Sequence, residues 1–255
     1  MIVDGKFSNI GTLEHGSSGT SLDMTDCMTK ISKLGKDSDL TEISAYGATK
    51  FSEIEAIKLP STIKSIRYMF DSAPIDDSDI SSFNTGEIED MKGTFYGAKN
   101  FNKSLSNWET TEVNDMSNMF ENAKEYNQDM RISGSKWNTQ NVESMSEMFK
   151  GATKFNGAFG AWNVTKLKNM KSMFEEADSF NQILANWNTN AVTNMSRMFY
   201  GADSYNQALV NDSKYRWDTS SVTNMESMFE NAKKYNNNGY KLDWDTSKVK
   251  SMKAM

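Results

Sequence analysis

The stretch Val142-Glu143-Ser144-Met145-Ser146-Glu147-Met148-Phe149-Lys150-Gly151-Ala152-Thr153-Lys154-Phe155-Asn156, followed by Trp162, decides the fold, because it is one copy of a unit that recurs down the chain. Written as a frame, the unit is Val-x-x-Met-x-x-Met-Phe-x-x-Ala-x-x-Phe-Asn, then Leu, then Trp-Asn-Thr. Its first Met falls at Met91, Met116, Met145, Met170, Met195, Met225 and Met252, with spacings of 25, 29, 25, 25, 30 and 27 residues. A unit of about 25 residues cannot bury its own apolar face, so each copy must stack on its neighbours. The expected architecture is therefore an α/β solenoid with seven to eight coils over residues 41–255, the last of them incomplete. Residues 1–40 do not fit the frame and read as an N-terminal capping region or linker.

Within the coil, Val142, Met145, Met148, Phe149 and Ala152 sit at i, i+3, i+6, i+7 and i+10, which predicts one short helix per coil. Asn138-Thr139, Asn188-Thr189, Asp218-Thr219 and Asp245-Thr246 supply N-capping oxygens. Gly151, Gly201, Asn122 and Asn231 suit the exit, where the backbone turns left-handed. The stretches Leu105 to Trp108, Phe159 to Trp162 and Leu184 to Trp187 are expected to be extended and to form a narrow parallel sheet at about 4.8 Å per coil. The Phe/Tyr-Asn pairs, such as Phe155-Asn156 and Tyr205-Asn206, predict an aromatic column and a buried asparagine column whose amides bond the next coil. Met, Phe and Trp columns are read as core, with the unbranched thioether filling irregular gaps between layers.

Composition limits the function. The formal net charge of −6 argues against a nucleic-acid surface, which needs clustered cations. Cys27 and His15 are each the sole residue of their type, so no disulfide, transition-metal cluster, Ser-His or Cys-His pair is expected, nor any cofactor. No apolar run approaches the roughly 20 residues that span a bilayer. Met1 to Lys6 lacks a signal-peptide core. Asp71, Asp76, Asp77 and Asp79 form a weak calcium candidate that lacks EF-hand spacing.

The frame Trp-Asn-Thr-x-x-Val-x-x-Met-x-x-Met-Phe-x-x-Ala-x-x-Phe-Asn-Gln, as in Trp187 to Gln207, resembles the repeat of the BspA-like leucine-rich-repeat surface proteins, in their Met-Phe and Trp-Asn-Thr branch. Ile57-Lys58-Leu59-Pro60 to Ile66 resembles the Leu-Pro-Ser variant of that family. The chain departs from the pattern at Thr94, where Met is expected, and at Glu109, where Asn is expected. The resemblance implies a leucine-rich-repeat-like right-handed coil, extracellular or cell-surface location, and adhesion to a protein or glycan on another cell or in the same surface assembly. It supplies no catalytic residues.

Binding is then sought where the repeat breaks. From the Phe/Tyr column to the Trp column the gap is 7 residues before Trp108, Trp162 and Trp187, but 11 before Trp137, 12 before Trp217 and 9 before Trp244. Insertions at one point of the coil project from one edge. Their candidate ligand-binding residues are Ser135, Lys136, Asp212, Lys214, Tyr215, Arg216, Tyr240 and Lys241. The first two insertions are expected roughly 14 Å apart, three coils at strand spacing. The alternative is a structural element that assembles end to end, because the chain stops two columns into a coil at Met252 to Met255, leaving the apolar face of that layer uncovered.

Overall fold

The protein is described by a computed structural model covering residues 20–23, 30–31, 40–44, 53–54, 59, 61–75, 80, 83–130, 136–160, 162–211 and 215–255. The repeats stack in chain order. A run of single-residue parallel bridges joins Glu42, Ser65, Asp90, Asp115, Ser144, Asn169, Asn194, Asn224 and Ser251, each to the next. At the N-terminal end the run enters β3 (Leu40–Ser44), which pairs in parallel with β1 (Thr20–Asp23); β2 (Lys30–Ile31) pairs in parallel with β4 (Glu53–Ile54). Part of the expected capping region is thus hydrogen-bonded to the first rung.

The short helix expected in each coil does not form. Among the described residues the Met-x-x-Met-Phe-x-x-Ala segments are chains of i to i+3 turns, and no α-helix occurs. In the coil of Met116, the Met119 N–H donates to the Met116 carbonyl (3.3 Å), Glu121 to Asn118 (3.0 Å) and Ala123 to Phe120 (3.1 Å). The intervening amides leave the coil: Met116 donates to Ser144 (3.0 Å), Asn118 to Ser146 (2.9 Å), Phe120 to Met148 (2.8 Å) and Asn122 to Lys150 (2.7 Å). An α-helix sends every amide to i−4 of its own strand of chain, whereas here alternate amides bond the next coil. The same alternation holds between Met145 and Met170 and between Met170 and Met195, where Met145 donates to Asn169 and Met170 to Asn194.

This alternation needs two left-handed residues per coil, two and six positions after the first Met. Gly93 and Gly97, Asn118 and Asn122, Glu147 and Gly151, Ser172 and Glu176, Arg197 and Gly201, and Ser227 and Asn231 all have φ between 53° and 66°. Gly and Asn recur there because they tolerate that region. The geometry expected at Gly151, Gly201, Asn122 and Asn231 is present, but it closes a turn rather than ending a helix.

The expected sheet is also placed differently. Leu105 to Trp108 and Leu184 to Trp187 are turns, with the Trp amide bonded to the Leu carbonyl at 2.9 and 3.0 Å. Parallel pairing lies instead at the residue before each first Met, whose side chain accepts from the amide two residues on, as with Asp90 and Lys92 (2.8 Å), Asp115 and Ser117 (2.8 Å) and Asn224 and Glu226 (2.9 Å).

The core is the set of repeat columns. Met116, Met119, Phe120, Met145, Met148, Phe149, Met170, Met173 and Phe174 are fully buried. Phe95, Phe120, Phe149, Phe174, Phe199 and Phe229 stack with centroids 5.4 to 5.8 Å apart. Each also packs on the second aromatic of its own coil, for example Phe174 on Phe180 at 3.9 Å. The asparagine column lies at the surface rather than in the core, yet makes the inter-coil bonds expected of it. The side-chain oxygens of Asn102, Asn127, Asn156, Asn181 and Asn206 accept from the amides of Asn127, Asn156, Asn181, Asn206 and Asn236 at 2.8 to 2.9 Å.

Candidate functional site

The edge that carries the insertions is built from the Trp-Asn-Thr column. Each Asn or Asp folds back on the amide two residues later: Asn138 on Gln140 (3.0 Å), Asn163 on Thr165 (3.1 Å), Asn188 on Asn190 (3.2 Å) and Asp218 on Ser220 (2.9 Å). The hydrogen bonds from Ser220 hold the Asp218 carboxyl below its ordinary value. Four Thr hydroxyls of the column donate to the next coil's Asn or Asp carbonyl: Thr110 to Asn138 (2.9 Å), Thr139 to Asn163 (2.8 Å), Thr189 to Asp218 (2.9 Å) and Thr219 to Asp245 (2.9 Å). Three of the indole N–H groups point back one coil: Trp108 donates to Ile80 (3.0 Å), Trp137 to Leu105 (2.7 Å) and Trp217 to Leu184 (2.9 Å), whereas those of Trp162 and Trp244 are buried without a hydrogen-bond partner. Asn-Thr therefore acts in an Asx turn and an inter-coil tie, not as a helix cap.

The Trp stack is continuous from Trp137 through Trp162 to Trp187, with centroids 5.9 and 6.3 Å apart. Among the described residues no ring contact joins Trp108 to Trp137, the step across which the first insertion lies. Beside that step opens a cavity of about 500 Å³, lined chiefly by Glu109, Lys136, Trp137, Asn138, Trp162 and Asn163. Glu109 occupies the column position that Asn or Asp holds in the other Trp coils, and its carboxylate forms a close ion pair with the Lys136 ammonium one coil on. Trp137 is half-buried, whereas Trp108, Trp187 and Trp217 are buried. The Asn138 and Asn163 side-chain oxygens are used in their Asx turns, which leaves their amide NH₂ groups as donors on the cavity wall.

The other candidates fare unevenly. Lys136 is at the cavity; Ser135, Asp212 and Lys214 lie outside the described residues, so the spacing expected between the first two insertions does too. Tyr215 and Arg216 form β6 (Tyr215–Arg216), antiparallel to β5 (Val210–Asn211), with Val210 opposite Arg216 and Asn211 opposite Tyr215. Tyr240 is 57% exposed and Lys241 is exposed, after a single 3₁₀ turn at Asn237–Gly239. That turn is anchored, since the Asn237 side chain accepts from the Leu209 amide (2.9 Å) and donates to the Tyr240 carbonyl (2.7 Å). Of the calcium candidates, Asp76, Asp77 and Asp79 lie outside the described residues, and the Asp71 carboxylate accepts from the Ser72 hydroxyl at 2.8 Å. Among the described residues no group of three potential metal-ligating side chains comes together, and no helix is long and apolar enough to cross a membrane. Glu109, Trp137, Asn138, Trp162 and Asn163 were not candidates from the sequence; the departure from Asn at Glu109 was the available signal.

A second charged surface lies on the left-handed turns. Glu175 binds Arg197 through both oxygens (2.7 and 3.0 Å), and the guanidinium lies 3.7 Å from the Tyr200 ring centroid. Burial pushes the Glu175 carboxyl up, but the bonds from Arg197 and Ser172 and the charge of Arg197 bring it below its ordinary value. Glu121, its side chain only 8% exposed, is raised by burial against the opposing effects of the Asn118 amide and the Lys150 ammonium.

Comparison with curated proteins finds no match, and neither does comparison with solved structures. One family model matches three times, at residues 41–133, 130–215 and 211–255, so that its copies cover the whole repeat region. The chain is a repeat protein, and it belongs to the family described as "Mycoplasma protein of unknown function, DUF285".

Proposed function

We propose that the stacked repeats form a right-handed, leucine-rich-repeat-like solenoid of the BspA-like class, which serves as a non-catalytic binding and adhesion module on a cell surface. The observation that carries this reading is the division of labour along the coil. The apolar columns, the alternate backbone amides and the Asn and Thr side chains are committed to joining coil to coil. The three insertions fall at one point of the repeat frame, before Trp137, Trp217 and Trp244, and the first of them ends at the cavity lined by Glu109, Lys136 and Trp137. A scaffold of stacked units with a variable edge is how repeat proteins present a binding surface. The partner is a protein or glycan on another cell or in the same surface assembly.

The test is a pull-down of the full chain against panels of host-surface proteins and glycans, repeated with the three insertions shortened to the 7-residue gap of the Trp162 coil. The reading expects specific capture that the shortened chain loses while keeping its fold. Capture that survives all three deletions would move the site off the edge, and failure of the intact chain to bind either panel would count against an adhesion role.

A further inference from the structure

We propose that the cavity beside Trp137 is a saccharide site that takes one ring of a neutral glycan; this rests on the binding-module reading and names the ligand class for it. Charge comes first. The Glu109 carboxylate and the Lys136 ammonium of the adjacent coil neutralise each other, and the other lining groups are amides, hydroxyls and indoles. An anionic ligand would displace or crowd Glu109, and a cationic one would do the same to Lys136. A neutral ligand that both donates and accepts hydrogen bonds leaves the pair intact.

The donor and acceptor sets agree with this. The Asn138 and Asn163 NH₂ groups, one coil apart, offer donors, and Glu109 offers acceptors. Vicinal hydroxyls, each at once a donor and an acceptor, suit such a mixed set. Trp137 adds a half-buried aromatic surface, held in place by its N–H bond to the Leu105 carbonyl (2.7 Å) and by stacking on Trp162 with ring planes 4° apart. Aromatic rings present an apolar surface with a negative face that suits the C–H side of a sugar ring. The groups sit on turns tied to both neighbouring coils, so little ordering is needed on binding. The cavity of about 500 Å³ is within the usual range of small-ligand sites.

The experiment uses the full chain on an array of immobilised oligosaccharides ending in neutral hexoses and N-acetylhexosamines, with sialylated counterparts and a peptide array alongside. Soluble forms of the oligosaccharides retained are then titrated by calorimetry. The inference expects saturable binding to at least one neutral glycan, weakened tenfold or more by Glu109→Asn, which installs the residue the other coils carry there, and by Trp137→Phe, which keeps a ring in the stack. Circular dichroism and melting verify that both variants fold. Equal affinity of the folded Glu109→Asn chain, a preference for sialylated glycans, or retention only on the peptide array would overturn it. Capture of a surface protein without glycan dependence would sink the saccharide assignment and leave the binding-module reading standing.

Discussion

Truncating Phe174 to Ala should unfasten the middle of the stack. Phe174 is fully buried, and its ring meets Phe149 at 5.8 Å, Phe159 at 5.8 Å, Phe180 at 3.9 Å and Phe199 at 5.7 Å, so one side chain touches its own coil and both neighbours. Removing a buried Phe typically costs about 3–5 kcal/mol through lost transfer energy and the cavity left behind. The upper end applies here because the Phe174 amide and carbonyl are committed: the amide is bonded to Met198 at 2.9 Å, and the turn to Ala177 closes at 3.2 Å, so the backbone cannot collapse into the space. At roughly 2–4 °C per kcal/mol for a chain of this size, the melting temperature should fall by about 10–20 °C. Ile183→Ala is the control: that side chain is 66% exposed, and its loss should stay within about 0.5 kcal/mol. Thermal melts and urea titrations of the three proteins decide the matter, and hydrogen exchange should show protection lost first in the coils of Met145, Met170 and Met195. A Phe174→Ala melt within about 2 °C of the parent would refute the claim that these columns hold the stack together.

Gly201→Ala, at φ +65° with no atom closer than 3.5 Å to the added carbon, should cost only the left-handed strain of about 1–2 kcal/mol, whereas Gly151→Ala also meets the Asn122 oxygen at 2.5 Å and should cost more. Equal stability of all three chains in urea would mean that the turns are not left-handed there. Thr189→Val should lose about 1 kcal/mol with its bond to the Asp218 carbonyl, and Val164→Thr, which places a hydroxyl where four other coils use one to bond the next coil, should lose nothing or gain slightly. Urea midpoints would show the opposite order if the Thr column were only packing. Acid should act with opposite sign on the two buried carboxylates. Glu175, held below its ordinary 4.5, contributes stability that is present above that value and lost as pH falls through its lowered one; Arg197→Met should therefore destabilise the protein at neutral pH and converge with the parent in acid. Glu121, raised above 4.5, carries a cost when ionised that disappears as pH falls through its raised value, so Glu121→Gln should be the more stable chain at neutral pH, with the difference closing in acid. A Gln variant less stable than the parent at neutral pH would show that the Lys150 and Asn118 contacts outweigh burial.

The candidate site was half legible. That insertions cluster before Trp137, Trp217 and Trp244, and that Glu109 breaks a column of Asn and Asp, can be read from residue spacing alone. That Glu109 reaches Lys136, and that Trp137, Asn138 and Asn163 share a wall with them, depends on which residues stack in adjacent coils. The insertion of 4 extra residues before Trp137 sets that register, and no local rule predicts the side-chain partner across it.

By itself the sequence determined that this is a stacked repeat, which residues face inward, and that Asn side chains tie coil to coil. These follow from period and polarity, since apolar residues at a fixed place in every unit must meet one another. Only the tertiary structure decided that the Met-x-x-Met-Phe-x-x-Ala segment is a chain of turns and not a helix. Both conformations bring i, i+3 and i+7 to one side, so the apolar pattern cannot separate them. The choice turns on where alternate amides find their acceptors: the Met116, Asn118, Phe120 and Asn122 amides reach carbonyls of the next coil, 28 residues on in sequence. The Gly and Asn residues two and six positions after the first Met were its local trace. A helix needs no left-handed residue in its first turn, whereas an alternating chain of turns needs one at each of those places.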